Sequence, residues 1–168
     1  RRTLILGGLS GSTAFVAPSS FAQLTKEPRK LVLGQSVPLT GAADQIGLAY
    51  FNGAKMYFDS INEKNGVAGY KIEVKVLDDG YDAAVAARNA KQFIDSKVDA
   101  LFGFVGTASS DAAAAVAKAS GVIFFAPFAA SDSLHAPDMT HVFHVRPALA
   151  DEAYKVVRHC ATLNQDRI

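Results

Sequence analysis

The chain has 168 residues, 49% of them hydrophobic and 20% charged, with seventeen basic side chains against sixteen acidic. Such a composition excludes collagen-like and disordered chains, and Lys and Arg scattered among acids exclude the clustered cations that a nucleic-acid backbone requires, so no nucleic-acid partner is expected. A compact chain of this size buries about 68% of the surface it exposes unfolded, enough for one core without metals or disulfides, and the single cysteine, Cys160, can form no internal disulfide.

The first segment reads as an export signal. Arg1 and Arg2 precede an uncharged stretch over residues 3–17, and small residues stand at Ser20 and Ala22. A basic start, an apolar middle and a small-residue end are the parts of a secretory signal peptide. The uncharged stretch is about fifteen residues, short of the twenty or so of a spanning helix. It also carries Gly7, Gly8 and Gly11, each costing about 1 kcal/mol against alanine in a helix interior, which weighs against a buried N-terminal helix. Cleavage is expected after Ala22, with residues 23–29 as a polar leader. The paired arginines suit a twin-arginine route and an ordinary secretory route equally.

The remainder alternates strand and helix. Residues 30–37 are mostly apolar and are stopped by Pro38, Leu39, Thr40 and Gly41, a buried strand followed by a turn. Phe51, Ala54, Phe58 and Ile61 recur at spacings of three, four and three, one face of a helix, which Asn65 and Gly66 end. Ile72, Val74 and Val76 alternate with Glu73, Lys75 and Leu77 in a second strand running into Asp78, Asp79 and Gly80. Ala86, Ala90, Phe93 and Ile94 mark a second helix. Residues 98–105 form an apolar run closed by Gly106 and Thr107, followed by Ala112, Ala115, Val116 and Ala119 at helical spacing up to Gly121. Residues 122–126 read as a fourth strand closed by Pro127, and residues 141–145 as a shorter fifth. Ala153, Val156, Val157, Cys160 and Leu163 give a last amphipathic helix, and Arg167 and Ile168 the start of a further strand.

Apolar strands separated by helices of about ten to fifteen residues predict an α/β fold, a doubly wound parallel sheet with right-handed crossovers. Ligands of such sheets bind at the carboxyl ends of the strands, near the switch in strand order. The loops to weigh are therefore residues 38–47, 78–82, 106–110 and 127–132. In the third, small residues would let a ligand approach backbone N–H groups at a helix start, where a carboxylate fits. The plainer reading is that Ser109 or Ser110 is the N-cap, with Asp111 complementing the helix dipole. The loop after strand four offers an apolar wall at Phe128, backbone groups at Ala129 and Ala130, and a hydroxyl at Ser131. Neither of these two loops carries Lys or Arg, so a small zwitterion or carboxylate suits them better than a phosphate. A dinucleotide fingerprint and a P-loop lysine are absent, and no cofactor is expected.

Several motifs then fall in one order: Val37, Pro38, Leu39, Thr40 and Gly41 with Gln45, Ile46 and Gly47; Asn52, Gly53 and Ala54; residues 62–69; residues 77–82; Gly103 to Thr107; and Ala126 to Ser131. From Lys30 to Ile168 the chain resembles the first lobe of the type I periplasmic binding proteins that serve branched-chain amino-acid ABC transporters. The resemblance implies a two-lobed protein that closes on a small amino acid or related carboxylate and presents it to a membrane permease. It implies a periplasmic location and a binding rather than an enzymatic role. In this family a hydroxyl and amide of the first loop hold the ligand carboxylate, which here falls on Thr107 with Ala108 and Ser109. The second loop supplies a carbonyl and another hydroxyl, covered here by Phe128, Ala129, Ala130 and Ser131. Ile46 stands where amino-acid binders are often aromatic, and the second-loop hydroxyl is displaced onto Ser131. The family's second lobe lies beyond this sequence, so the chain reads as an incomplete first lobe, with apolar edge surface uncovered and weak or no binding of its own. A ligand-sensing domain of an exported receptor is the alternative, and a small α/β enzyme a distant third.

Other groupings carry less. Asp78, Asp79 and Asp82 could hold a hard cation, but capping a helix and tying a loop explains them better. His135, His141, His144 and His159 read as surface histidines; His141 and His144, three apart on a strand, would face opposite ways. Cys160 on an apolar stripe reads as a small core residue, and with no Gly-x-Ser-x-Gly in the sequence no nucleophile emerges.

Overall fold

A computed structural model of the chain describes residues 29–163. The expected export signal, the first residues of the leader and the strand start at Arg167 and Ile168 lie outside the described residues. Ten elements follow in order: β1 (Arg29–Val37), α1 (Asp44–Glu63), β2 (Tyr70–Asp78), α2 (Ala83–Asp95), β3 (Ala100–Phe102), α3 (Thr107–Ser120), β4 (Ile123–Phe125), a 3-10 turn η1 (Asp132–His135), β5 (Val142–Phe143) and α4 (Leu149–Thr162). The strands pair in the order β2-β1-β3-β4-β5, every pair parallel. This is the α/β architecture read from the strand and helix alternation.

Alternation along the strands divides the core between two faces. On one, Phe93 and Ala90 of α2 and Ala113, Ala114 and Ala117 of α3 close over Leu101, Phe104, Phe124 and Val142. Alanine there lets the helices approach closely, and Gly34 does the same for β1, since a Cβ on it would stand 2.5 Å from the Phe93 ring. On the other face α1 lays Tyr50, Ala54 and Phe58 against Leu33, Ala100 and Phe102. Among the described residues no second helix follows it there, and Ile123, Phe125 and Phe143 are 43–50% exposed.

Several boundaries differ from the sequence reading. Helix α1 begins at Asp44 and takes Gln45, Ile46 and Gly47 out of the first loop. Gly47 belongs in the helix because of what it packs against: a Cβ there would lie 1.9 Å from the Pro38 carbonyl oxygen. Strand pairing in β3 covers only three residues of the apolar run 98–105, and Val105 reappears as a single parallel bridge to Phe128. The expected cap at Ser109 or Ser110 is also corrected. Gly106, at φ 101° and ψ 145°, is the N-cap of α3 and no side chain caps it; Ser110 donates instead to the Phe104 carbonyl at 3.1 Å. Asp111 does not complement the helix start but accepts from Ser131 and Ser133 across the loops.

Helix α4 buries none of its residues. Val156 and Val157 are more than half exposed and Cys160 is half-buried, so Cys160 is not the core residue its stripe suggested: no element packs over that stripe among the described residues.

Candidate functional site: a cleft at the carboxyl edge of the sheet

All five strands send chain into one cleft of about 590 Å³ at their carboxyl ends. Ile46 reaches it from α1 after β1, Tyr81 from the loop after β2, Val105, Gly106 and Thr107 from the end of β3, Phe128 to Ser133 from the loop after β4, and Arg146 and Leu149 from the segment after β5. The doubly wound topology predicts a ligand at this edge, and it adjoins the switch in strand order between β1 and β3.

The floor is built by pairing the two central loops. Phe128 N–H donates to the Phe104 carbonyl at 2.9 Å and Gly106 N–H to the Phe128 carbonyl at 3.2 Å, extending the β3–β4 ladder two steps past the strands. Gly106 is required at this junction: its φ of 101° disfavours any side chain, and a Cβ would come within 2.7 Å of the Tyr81 ring. The chain then turns directly into α3. Ser110 N–H makes the first helical bond, to the Gly106 carbonyl at 2.9 Å, so the N–H groups of Thr107, Ala108 and Ser109 have no acceptor among the described residues. Together with the helix dipole they favour negative charge.

Of the residues expected at the site, Thr107, Ile46, Phe128, Ala129, Ala130 and Ser131 line the cleft and Ala108 and Ser109 do not. Ser109 is largely withdrawn from solvent, only 2% exposed. The Thr107 hydroxyl, in contrast, is exposed and has no protein partner among the described residues. Ser131 is already engaged, with its hydroxyl 2.6 Å from that of Ser133 and 3.3 Å from Asp111. Phe128 rests against Tyr50, ring centroids 5.0 Å apart, and leaves the rest of its surface to the cleft.

Sequence reasoning missed Tyr81, Arg146 and Leu149. Tyr81 stands in the loop over residues 78–82, which was weighed as a loop without the tyrosine being singled out. Arg146 lay beyond the two loops said to contain no cation; the fold returns it to their side. Its guanidinium forks onto Glu152, at 2.7 and 2.8 Å. That contact holds the Glu152 carboxyl below its ordinary range and raises Arg146.

The acidic turn supports the β2 side of the cleft. Asp78 accepts from Leu39 N–H, the Thr40 hydroxyl and Gly80 N–H, and the Thr40 bond first, then the amides, lower its pKa. Asp82 caps α2 through Val85 N–H at 2.9 Å. Asp79, 2% exposed, accepts from the Ser36 hydroxyl at 2.7 Å and from Tyr81 N–H at 2.9 Å; burial nevertheless raises its pKa. Capping and tying, the plainer of the two readings, is what these carboxylates do.

Of the four histidines read as surface residues, three are half-buried. Only His159 is exposed. His141 sits 3.1 Å from the Ala114 carbonyl and His144 2.9 Å from that of Leu134, and His144 stacks on His135 with centroids 3.7 Å apart.

A parallel sheet with an anion-favouring helix start and an apolar rim at its carboxyl edge defines a lobe for binding a small ligand. Residues 30–168 match the family described as periplasmic binding protein, and the chain belongs to that family. Among curated relatives, a Leu/Ile/Val-binding protein homolog of Brucella melitensis is 27% identical over 135 residues, covering 80% of this chain and 36% of the relative. A possible leucine/isoleucine/valine-binding protein of Rhodopirellula baltica superposes with a TM-score of 0.73 at 28% identity, over 80% of this chain and 36% of the other. The branched-chain amino acid transporter substrate binding protein of Streptococcus pneumoniae, solved with isoleucine, gives 0.66 at 28% identity, over 71% and 34%. The chain thus spans little more than a third of the relatives it matches, and the likeness is to the N-terminal portion of the type I proteins of branched-chain amino-acid transport.

Proposed function

We propose that the cleft receives the carboxylate of a branched-chain amino acid or a related small apolar carboxylate, as part of an extracytoplasmic substrate-binding component that delivers its ligand to the permease of an ABC importer. Export by removal of residues 1–22 belongs to the same proposal. The observation that carries it is the start of α3: three N–H groups without protein acceptors and the free Thr107 hydroxyl, set against the apolar side chains of Ile46, Tyr81 and Phe128. A carboxylate completes the helix start, while an aliphatic side chain can cover part of an apolar rim that is now 40–56% exposed. The 28% identity to a protein solved with isoleucine supports the choice of ligand. The exposed rim also means that the described residues cover one side of a ligand only, so the chain by itself binds weakly.

Calorimetric titration with isoleucine, isoleucine amide and the amine-free analogue of isoleucine tests this. Isoleucine is expected to bind in the millimolar range, the amide not at all, and Thr107→Val to weaken binding roughly tenfold, about one charge-assisted hydrogen bond. Equal binding of isoleucine and its amide contradicts the carboxylate assignment.

A further inference from the structure

His135 faces two backbone carbonyls at once. Its Nδ1 lies 3.0 Å from the Ser131 oxygen and its Nε2 3.2 Å from the Arg146 oxygen. A neutral imidazole carries one N–H and can donate to only one of them, leaving a lone pair against the other; the imidazolium donates to both. The two carbonyls belong to the two segments that bring Ser131 and Arg146 to the cleft. The neighbouring ring settles where a proton goes. His144 stacks on His135 at 3.7 Å, meets the Leu134 carbonyl through Nε2, and has a buried Nδ1 with no partner. That pattern fits a neutral ring with its hydrogen on Nε2. Burial first, and the adjacent His135, hold His144 below the ordinary histidine range.

We propose that protonated His135 is a positioning residue that clamps the Ser131 and Arg146 segments together, so that the cleft is better formed when His135 is charged than when it is neutral. From the elements around it, the other charged or titratable groups are accounted for. His144 is neutral. Arg146 is paired with Glu152. Asp132 on η1 faces Ala150 N–H, at 3.4 Å. Asp111 of α3 is held by Ser131 and Ser133, His141 faces the Ala114 carbonyl, and Asp138 is paired with Lys118. None of these offers His135 a carboxylate, so the carbonyls are its partners. The clamp acts beside other ties between the two segments, Leu149 N–H to the Ala130 carbonyl at 2.8 Å and Ala150 N–H to Asp132 at 3.4 Å, and therefore modulates the cleft without being its sole support.

The test has two arms on the full chain. In the first, nitrogen and carbonyl-carbon NMR follows His135 and the carbonyls of Ser131 and Arg146 over a pH interval wide enough to take the ring from its charged to its neutral form. Both ring nitrogens are expected to be protonated at the acid end, and one of the two carbonyls is expected to lose its hydrogen-bonded shift as one nitrogen loses its proton. A ring with one protonated nitrogen throughout, or carbonyl shifts that ignore the ring, overturns the clamp. The second arm rests on the proposed ligand site and uses isoleucine as probe. Its affinity is expected to fall roughly tenfold across the same interval, the size of one charge-assisted hydrogen bond. His135→Gln is expected to be flat with pH, and His144→Phe, which keeps the stack, to retain the dependence. A slope that survives His135→Gln overturns the coupling. Should isoleucine not bind at any pH, the ligand assignment fails while the first arm still decides the clamp.

Discussion

The two faces of the sheet are made from the same strands and finished very differently. Phe124 and Phe125 are neighbours in β4, yet Phe124 is fully buried under α3 while Phe125 is 43% exposed on the face that, among the described residues, α1 alone covers. The α2/α3 face gathers thirteen buried residues in one cluster against four on the α1 face, so it is this side that holds the chain together. The cleft stands on it: Phe104, Ala129 and Leu134 are both members of the larger cluster and neighbours of the loops that line the site. The finished face thus holds the cleft loops from one side, while from the open face α1 adds Ile46 to the cleft and Tyr50 against Phe128.

Truncating each phenylalanine in turn breaks that comparison most sharply. Phe124→Ala is expected to cost about 3–5 kcal/mol, a buried aromatic lost together with the cavity it leaves. Phe125→Ala, removing a ring only partly withdrawn from water, is expected to cost about 1 kcal/mol. Denaturant unfolding of both variants gives the difference, and equal losses mean that the two faces share the load.

Next in size is the junction between the core and the cleft. Gly106→Ala places a Cβ against the Tyr81 ring in a backbone region nearly closed to other residues, with an expected cost of about 1–3 kcal/mol. Adding Tyr81→Ala relieves the contact and not the backbone, so it should restore only part of the loss in the same unfolding experiment. Full recovery would show that the ring, rather than φ, sets the requirement for glycine.

The smallest effect is a pH slope under the cleft. Burial raises the Asp79 pKa, so the folded state holds this proton more tightly than the unfolded chain does. Its contribution is present below the unfolded pKa and lost as pH rises through the folded one. The stability of the parent relative to Asp79→Asn is therefore expected to improve as pH falls through the carboxylate range. Thermal midpoints of the pair at several pH values check the sign, and an opposite trend means that the bonds from Ser36 and Tyr81 outweigh burial.

The elements themselves were legible because their signals are local. Alternation at Ile72 and Val74, and helical spacing at Phe51, Ala54 and Phe58, survive in the fold with their faces as read. The third loop could be recognised as a helix start, but its cap could not: serines are the usual cap residues, whereas the turn here is made by Gly106 at φ 101°, with the Tyr81 ring close to where a Cβ would stand. Tyr81 stood in one of the four loops weighed without being singled out, whereas Arg146 was invisible as a cleft residue because it lies outside those loops and reaches the cleft only through strand order. The histidines failed for the same reason: the stack of His135 on His144 joins η1 to the residue after β5, nine positions apart. The exposure of α4 also eluded the pattern, since an amphipathic stripe announces that a helix has an apolar side without saying what covers it.

The central claim is that the start of α3 and the loop after β4 form one carboxylate site. Backbone amide NMR of the full chain during an isoleucine titration tests it most directly. The account predicts saturable shifts concentrated at Thr107, Ala108 and Ser109 and at Phe128 to Ser131. Shifts confined to the apolar groove of Tyr57, Phe125 and Val145 on the opposite face, or none at the start of α3, would contradict it.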